Sequence, residues 1–280
     1  IADILAYLPS NHLEDAPLGP LDDPLERDCR RAAVTVPSEA RSSYDVRHVV
    51  VDVFDAGSFL EVRARYAPNM VTGYARLGGR VIGIVANQPE QRAGTLDIEA
   101  SRKAARFVQH CDSFNIPILT FVDTPGFEPG KDLEWRGMIR HGAELVHAYC
   151  AATVPRVCVV LRKSYGGAYI VMDSKGIGND LCFAWPVAEI AVMGAAPAVR
   201  ILHRRRLDAI EDEHERAVEQ VRLVDEYTEQ FATATVAAER GFVDEVIDPA
   251  DTRRRIGDAF AGLRTKRELA PSRRHSNGPL

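Results

Sequence analysis

The stretch Lys163-Ser164-Tyr165-Gly166-Gly167-Ala168-Tyr169-Ile170-Val171-Met172 has the strongest chemical character in the chain. It reads as a strand end, a glycine turn and a helix start, and such a turn leaves backbone N–H groups able to hold a negatively charged oxygen. Two more glycine turns come after strand patterns: Asp123-Thr124-Pro125-Gly126-Phe127-Glu128-Pro129-Gly130 and Met193-Gly194-Ala195-Ala196-Pro197. Three strand ends then converge on one edge. Pro197 falls where a first helical residue would stand, a place that needs no N–H. Convergent amides without an activated nucleophile suit an enolate-type oxyanion, for which one donor contributes roughly 3 kcal/mol. The alternative for a glycine pair is close packing alone.

Side chains offer less. Ser164 precedes the glycines and lacks the G-x-S-x-G frame that exposes a nucleophilic serine. Asp123 is expected to orient the Pro125-Gly126 turn. No two of the eight histidines stand three or four residues apart, and His141 and His147 on one helix point in different directions, so no metal is expected.

The elements that position these turns can be read from periodicity. Val154-Pro155-Arg156-Val157-Cys158-Val159-Val160-Leu161-Arg162 is a β-branched apolar run, the pattern of a buried strand. Strands over 70–76 and 80–86 flank Leu77-Gly78-Gly79 and predict a hairpin. A short helix is expected around 58–66. An amphipathic helix through Ile98, Ala104, Ala105, Val108 and Cys111 leads into a strand over 116–122. Helices over 132–150, 166–175 and 196–203, with a strand over 189–193, continue an α/β alternation. Beyond Leu207 helices dominate, and Val218, Val221 and Val224 mark an apolar stripe on a charge-laced, solvated segment. Residues 1–43, interrupted by Pro9, Pro17, Pro20, Pro24 and Pro37, are expected to be a connector from something upstream, 44–270 the domain, and 271–280 a polar tail.

The 280 residues are 46% hydrophobic, enough for one large core. A net charge of −5 argues against nucleic acid. The five cysteines are widely spaced with no C-x-x-C pair, as expected of reduced thiols in a cytoplasmic protein. No apolar run approaches the ~20 residues of a membrane span.

Taken together, the D-T-P-G-F-x-P-G turn, K-S-Y-G-G-A-Y, Ala184-Trp185-Pro186 before Ile190-Ala191-Val192-Met193-Gly194, and Gly241-Phe242-Val243-Asp244 with Arg264-Thr265-Lys266-Arg267 resemble one family. It is the carboxyltransferase β subunit of biotin-dependent acyl-CoA carboxylases, of the actinobacterial acetyl/propionyl-CoA type. The resemblance runs along the whole chain but reaches only the C-terminal half of that subunit, and with Ile1 in place of Met this suggests a fragment.

The resemblance implies an α/β crotonase-like (ClpP/crotonase) ββα superhelix, the second carboxyltransferase domain. It also implies carboxyl transfer from carboxybiotin to the α carbon of a short acyl-CoA, acetyl-CoA with propionyl-CoA tolerated. By motif, the amides of Gly167 and Ala168 would hold the ureido oxygen of biotin as CO2 is released. The biotin enolate would then take the α-proton of the acyl thioester. Gly126 and Phe127 would wall the biotin cleft, with Gly142, Tyr165 and Gly166 nearby. Ile170, Gly194 and Ala195 would line the acyl pocket, and aspartate stands at the Ile170 position in propionyl-preferring relatives. For Ile170, core packing is the other reading.

No lysine here is flanked by methionine and there is no G-x-x-x-x-G-K-[ST] loop. Biotin would therefore ride on a partner, the biotin carboxylase/carboxyl carrier α subunit. The chain would join a homo-oligomer, a dimer or a trimer of dimers. The competing readings are a crotonase-fold hydratase or isomerase, and a non-catalytic docking and oligomerisation half.

Overall fold

The computed structural model describes residues 2–39, 42–266, 268 and 278. The expected 271–280 tail therefore lies outside the described residues apart from Gly278, as does Arg267. The described strands are β1 (Leu60–Glu61), β2 (Met70–Leu77), β3 (Arg80–Asn87), β4 (Ile118–Thr124), β5 (Arg156–Tyr165), β6 (Leu181–Ala184), β7 (Glu189–Ala191) and β8 (Glu245–Val246). The helices are α1 (Ala2–Leu5), α2 (Arg30–Thr35), α3 (Val46–Val53), α4 (Ile98–Ser113), α5 (Lys131–Trp135), α6 (Met138–Ala151), α7 (Gly166–Val171), α8 (Ala195–Leu202), α9 (Arg204–Asp208), α10 (Glu213–Tyr227), α11 (Ala234–Glu239) and α12 (Thr252–Gly262).

One sheet runs β1-β2-β3-β4-β5-β6-β8, and β7 also pairs with β5. The β2–β3 hairpin forms as the pattern predicts, with Leu77 opposite Arg80. Gly78 and Gly79 both hold positive φ, 55° and 71°, the turn whose twist matches antiparallel strands. The Asp55 carboxylate accepts both glycine N–H groups, at 3.0 and 2.8 Å. From β3 onward the pairings are parallel.

Both faces of the sheet are covered, which is why its strands read as continuous apolar runs. Val85, Ile118, Val122, Cys158 and Val160 face α4 and α6, packing with Ala104, Val108, Leu145 and Tyr149. Ile84, Leu119, Phe121, Val157, Val159 and Leu161 face the other way, onto Val49, Val50, Trp185 and Ile256. Cys29 and Ala32 of the 1–43 segment belong to this second core. Arg253 donates to the carbonyls of Pro24 and Asp23 at 2.9 and 2.8 Å, so the segment expected as a connector is packed over part of its length.

Several local expectations are corrected. Residues 58–66 contain β1 and turns; the helix lies earlier, at α3, where the Asp45 side chain caps the N–H of Arg47 at 2.9 Å. The expected 132–150 helix is broken into α5 and α6 at Gly137, whose φ of 88° ends the first. The 166–175 helix stops at Val171, before Asp173 with φ 56°. On α10, Val218 and Val221 are exposed, and the buried contact is made by Leu223 with Val224 beside it.

Candidate functional site

The site is built at the C-terminal ends of β4, β5 and β7, three parallel strands. β5 is long enough to change partners: Val157 to Val160 pair with β6, and Lys163 to Tyr165 pair with β7. Between β4 and β5 the register slips, Val122 facing Val160 but Thr124 facing Ser164. A bulge of this kind bends a strand and re-aims the residues beyond it. Asp123 sits in the slip. Its carboxylate accepts Arg162 Nε at 3.0 Å and the Lys163 backbone N–H at 3.3 Å, and lies 3.8 Å from Lys163 Nζ. Asp123 therefore clamps the two strand ends. The 124–126 turn is instead made by Thr124 Oγ1, which accepts the N–H of Gly126 at 3.3 Å.

Tyr165 ends β5 and is the N-cap of α7, with no side chain capping the helix. The first N–H groups of a helix have no partner within it. Gly166 holds φ 60°, and a β-carbon there would come within 3.0 Å of the Val192 carbonyl, so the turn demands glycine. Ala168 is fully buried.

Phe127 comes directly after the β4 turn. Its position is fixed by Leu96: Leu96 N–H donates to Gly126 O at 3.0 Å, and Glu128 N–H donates to Leu96 O at 2.8 Å. The ring comes to rest against two glycines. A β-carbon on Gly142 of α6 would lie 3.0 Å from Phe127 Cζ, and one on Gly167 would lie 3.3 Å from Cε2. The structure thus brings Gly126, Phe127, Gly142 and Gly167 together.

Tyr165 lies beside Gly194, the N-cap of α8, where a β-carbon would meet its ring at 3.5 Å. The Tyr165 hydroxyl donates to Glu189 of β7. Burial, then this carboxylate, pushes the hydroxyl far above its ordinary titration range. Ala195 is buried at the start of α8, and Pro197 is the third helical residue, not the first. It still falls within the first turn, where a missing N–H breaks no intrahelical bond. Ile170 is 48% exposed, which removes the core-packing reading for it.

Ser164 is buried and its hydroxyl has no hydrogen-bond partner, so no base activates it. Burial lowers the pKa of Lys163, opposed by Asp123. Among the described residues no three His, Cys, Asp or Glu side chains are grouped to hold a metal ion, and no helix is long and apolar enough to cross a membrane. Sequence reasoning missed Glu189 and the clamp made by Asp123. The available signal was Arg162-Lys163, two cations inside an apolar strand, which require a buried carboxylate.

Residues 1–278 match the carboxyl transferase domain family. The chain is 53% identical over 281 residues to a propionyl-CoA carboxylase carboxyltransferase subunit of Haloferax mediterranei, covering 100% of this chain and 54% of that protein. It is 49% identical over 290 residues to the propionyl-CoA carboxylase beta chain of Saccharopolyspora erythraea, covering 100% and 53%. A crystal structure of transcarboxylase 12S, with methylmalonyl-coenzyme A and methylmalonic acid bound, superposes with a TM-score of 0.92 at 46% identity, covering 99% of this chain and 52% of that one. The chain spans about half the length of these relatives. With a crotonase-like α/β fold and a family match over nearly every residue, it belongs to the carboxyl transferase domain family.

Proposed function

We propose that the chain is the half of a biotin-dependent acyl-CoA carboxyltransferase that receives carboxybiotin, and that the amides of Gly167 and Ala168 hold the ureido oxygen. The observation that carries this is Phe127 seated on Gly142 and Gly167 beside an uncapped helix start. Carboxybiotin, carried on a partner protein, would supply the carboxyl group. Gly167 and Ala168 would donate to the oxygen that gains charge, a contribution that needs oriented amides and no side-chain base. Phe127 would wall one side of the ring and exclude water from it, with Gly126 and Gly166 shaping the approach. The Tyr165 hydroxyl is committed to Glu189, so it holds its ring beside Gly194 and takes no part in proton transfer.

Hydratase chemistry needs a glutamate free to act over the acyl chain. Glu189, at this edge, is engaged by Tyr165, and Glu144 lies 2.9 Å from His141 Nδ1, which favours carboxyl transfer.

The acyl substrate would be a short acyl-CoA, acetyl-CoA or propionyl-CoA, the second in keeping with the names of the relatives. The exposure of Ile170 supports its place on the acyl pocket, which Gly194 and Ala195 would also line. The partners would be a biotin-carrying α subunit and further copies of the same subunit, as transcarboxylase 12S forms a hexamer.

The test is Ala168→Pro in the full-length subunit, which removes one amide donor. Carboxyl transfer should fall at least about a hundredfold. Gly167→Ala, which presses on Phe127 but keeps both donors, should cost much less. Full activity in Ala168→Pro, or enoyl-CoA hydration by the wild type, would overturn the proposal.

A further inference from the structure

On the opposite side of α4 from its core contacts, positive charge is gathered without a carboxylate to neutralise it. Arg102 and Arg106 stand one turn apart, so both rise from one face of the helix. Arg63 reaches them from the loop after β1, and with Tyr66 the three line a cleft of about 330 Å³. Nearby arginines are paired: Arg47 with Glu61, Arg92 with Asp97, and Arg136 with Glu99. Arg63, Arg102 and Arg106 make no ion pair among the described residues. The chain carries more acidic than basic residues, 40 against 35, so the cluster is not the by-product of a basic surface. Like charges one turn apart oppose folding, and a bound anion reverses the sign of that interaction.

The loop is held in place. Lys103 is buried, and its Nζ donates to Met70 O at 2.6 Å and to Ala67 O at 3.3 Å. Arg63 and Ala67 have φ of 57° and 44°, a conformation unfavourable for residues with a side chain and kept only where the surroundings impose it. A second cleft of about 320 Å³ shares Arg63 and Arg106 and is walled by Val62, Tyr74, Phe107 and His110. The two clefts share Arg63 and Arg106, so aromatic side chains lie beside the cationic cluster.

We propose that this cleft binds a phosphorylated small molecule, its phosphates on Arg63, Arg102 and Arg106 and its ring beside Tyr66. Guanidinium forks match phosphate oxygens, and an aromatic wall suits the planar part of a nucleotide. The cleft shares no residue with Phe127, Gly142 or Gly167, so the inference stands apart from the carboxyl-transfer reading.

Equilibrium dialysis of the full-length subunit against labelled ADP and labelled pyrophosphate tests it. Both should bind at low ionic strength and weaken with salt. Arg102→Gln/Arg106→Gln should weaken both by about tenfold or more. These side chains are exposed, so the fold should survive, as circular dichroism would verify. Tyr66→Ala should weaken ADP and spare pyrophosphate, whereas equal loss of both would overturn the placement of the ring. Ala168→Pro should retain ADP binding even where carboxyl transfer fails. No binding of either probe, or unchanged affinity in the double variant, would overturn the site itself.

Discussion

The Phe127 ring rests on Gly142 so closely that a β-carbon there would stand 3.0 Å from Cζ and 3.2 Å from Cε1. One residue from the β4 turn and one from the middle of α6 thus form a single surface, possible only because α6 has a notch at that point. Gly142→Ala should tilt the ring. Alanine favours the helix by about 0.8–1 kcal/mol, which offsets the crowding, so thermal stability should stay near that of the wild type. Carboxyl transfer should fall through a raised KM for biotin, measured with free biotin as carboxyl carrier.

Asp123 is buried against Arg162, and Arg162 also donates to the carbonyls of Glu39 and Ser42 at 2.7 and 2.8 Å. Asp123→Ala strands a charge in the core. Urea unfolding should show a loss of about 3–5 kcal/mol, typical of breaking one side of a buried pair. A loss below about 1 kcal/mol would mean that the clamp is not holding the two strand ends.

Ile170→Asp places a charge on a half-exposed position, so stability should change by no more than about 0.5 kcal/mol. The ratio of kcat/KM for propionyl-CoA over acetyl-CoA should rise. An unchanged ratio in steady-state assays removes Ile170 from the acyl pocket.

Asp173 is fully buried beside Arg156, and burial pushes its carboxyl up from 3.8 to about 6 despite the pull of the guanidinium. Between about pH 4 and 6 the folded state keeps a proton that the unfolded chain has lost. This contribution is fully present below about pH 4 and is lost as pH rises through about 6. In denaturation curves taken across that window, Asp173→Asn should show a shallower decline with rising pH than the wild type. Parallel curves would contradict this.

Local patterns carried much of the architecture. The hairpin, α4, β4 and β5 are written in continuous apolar runs or 3.6-residue apolar spacing and in Gly78-Gly79, and each formed within a few residues of its expected bounds. Two strands escaped for one reason. β6 is only four residues long and β1 two, too short for periodicity to show, and both exist because a neighbouring strand supplies their hydrogen bonds. The 23–36 stretch carries Pro24 and is largely polar, yet Cys29 and Ala32 are buried, the Cys29 N–H donating to Ala250 O and the Ala32 N–H to the Asp52 carboxylate, both at 2.8 Å, partners that no local pattern announces.

The chain itself determined where a helix start would leave backbone amides without intrahelical partners: Gly166, with φ 60° after a β-branched run, makes a turn that other residues adopt only with strain. It also determined, through D-T-P-G-F and K-S-Y-G-G-A-Y, the family to which it belongs. Which side chains meet at that turn was decided only by the tertiary structure. The tie from Tyr165 to Glu189 and the clamp of Asp123 on Arg162 depend on parallel strands aligning distant residues, and the seating of Phe127 on Gly142 depends on α6 packing beside the end of β4. Such alignment is set by register and bulges across the sheet, for which no local spacing in the sequence is a sign.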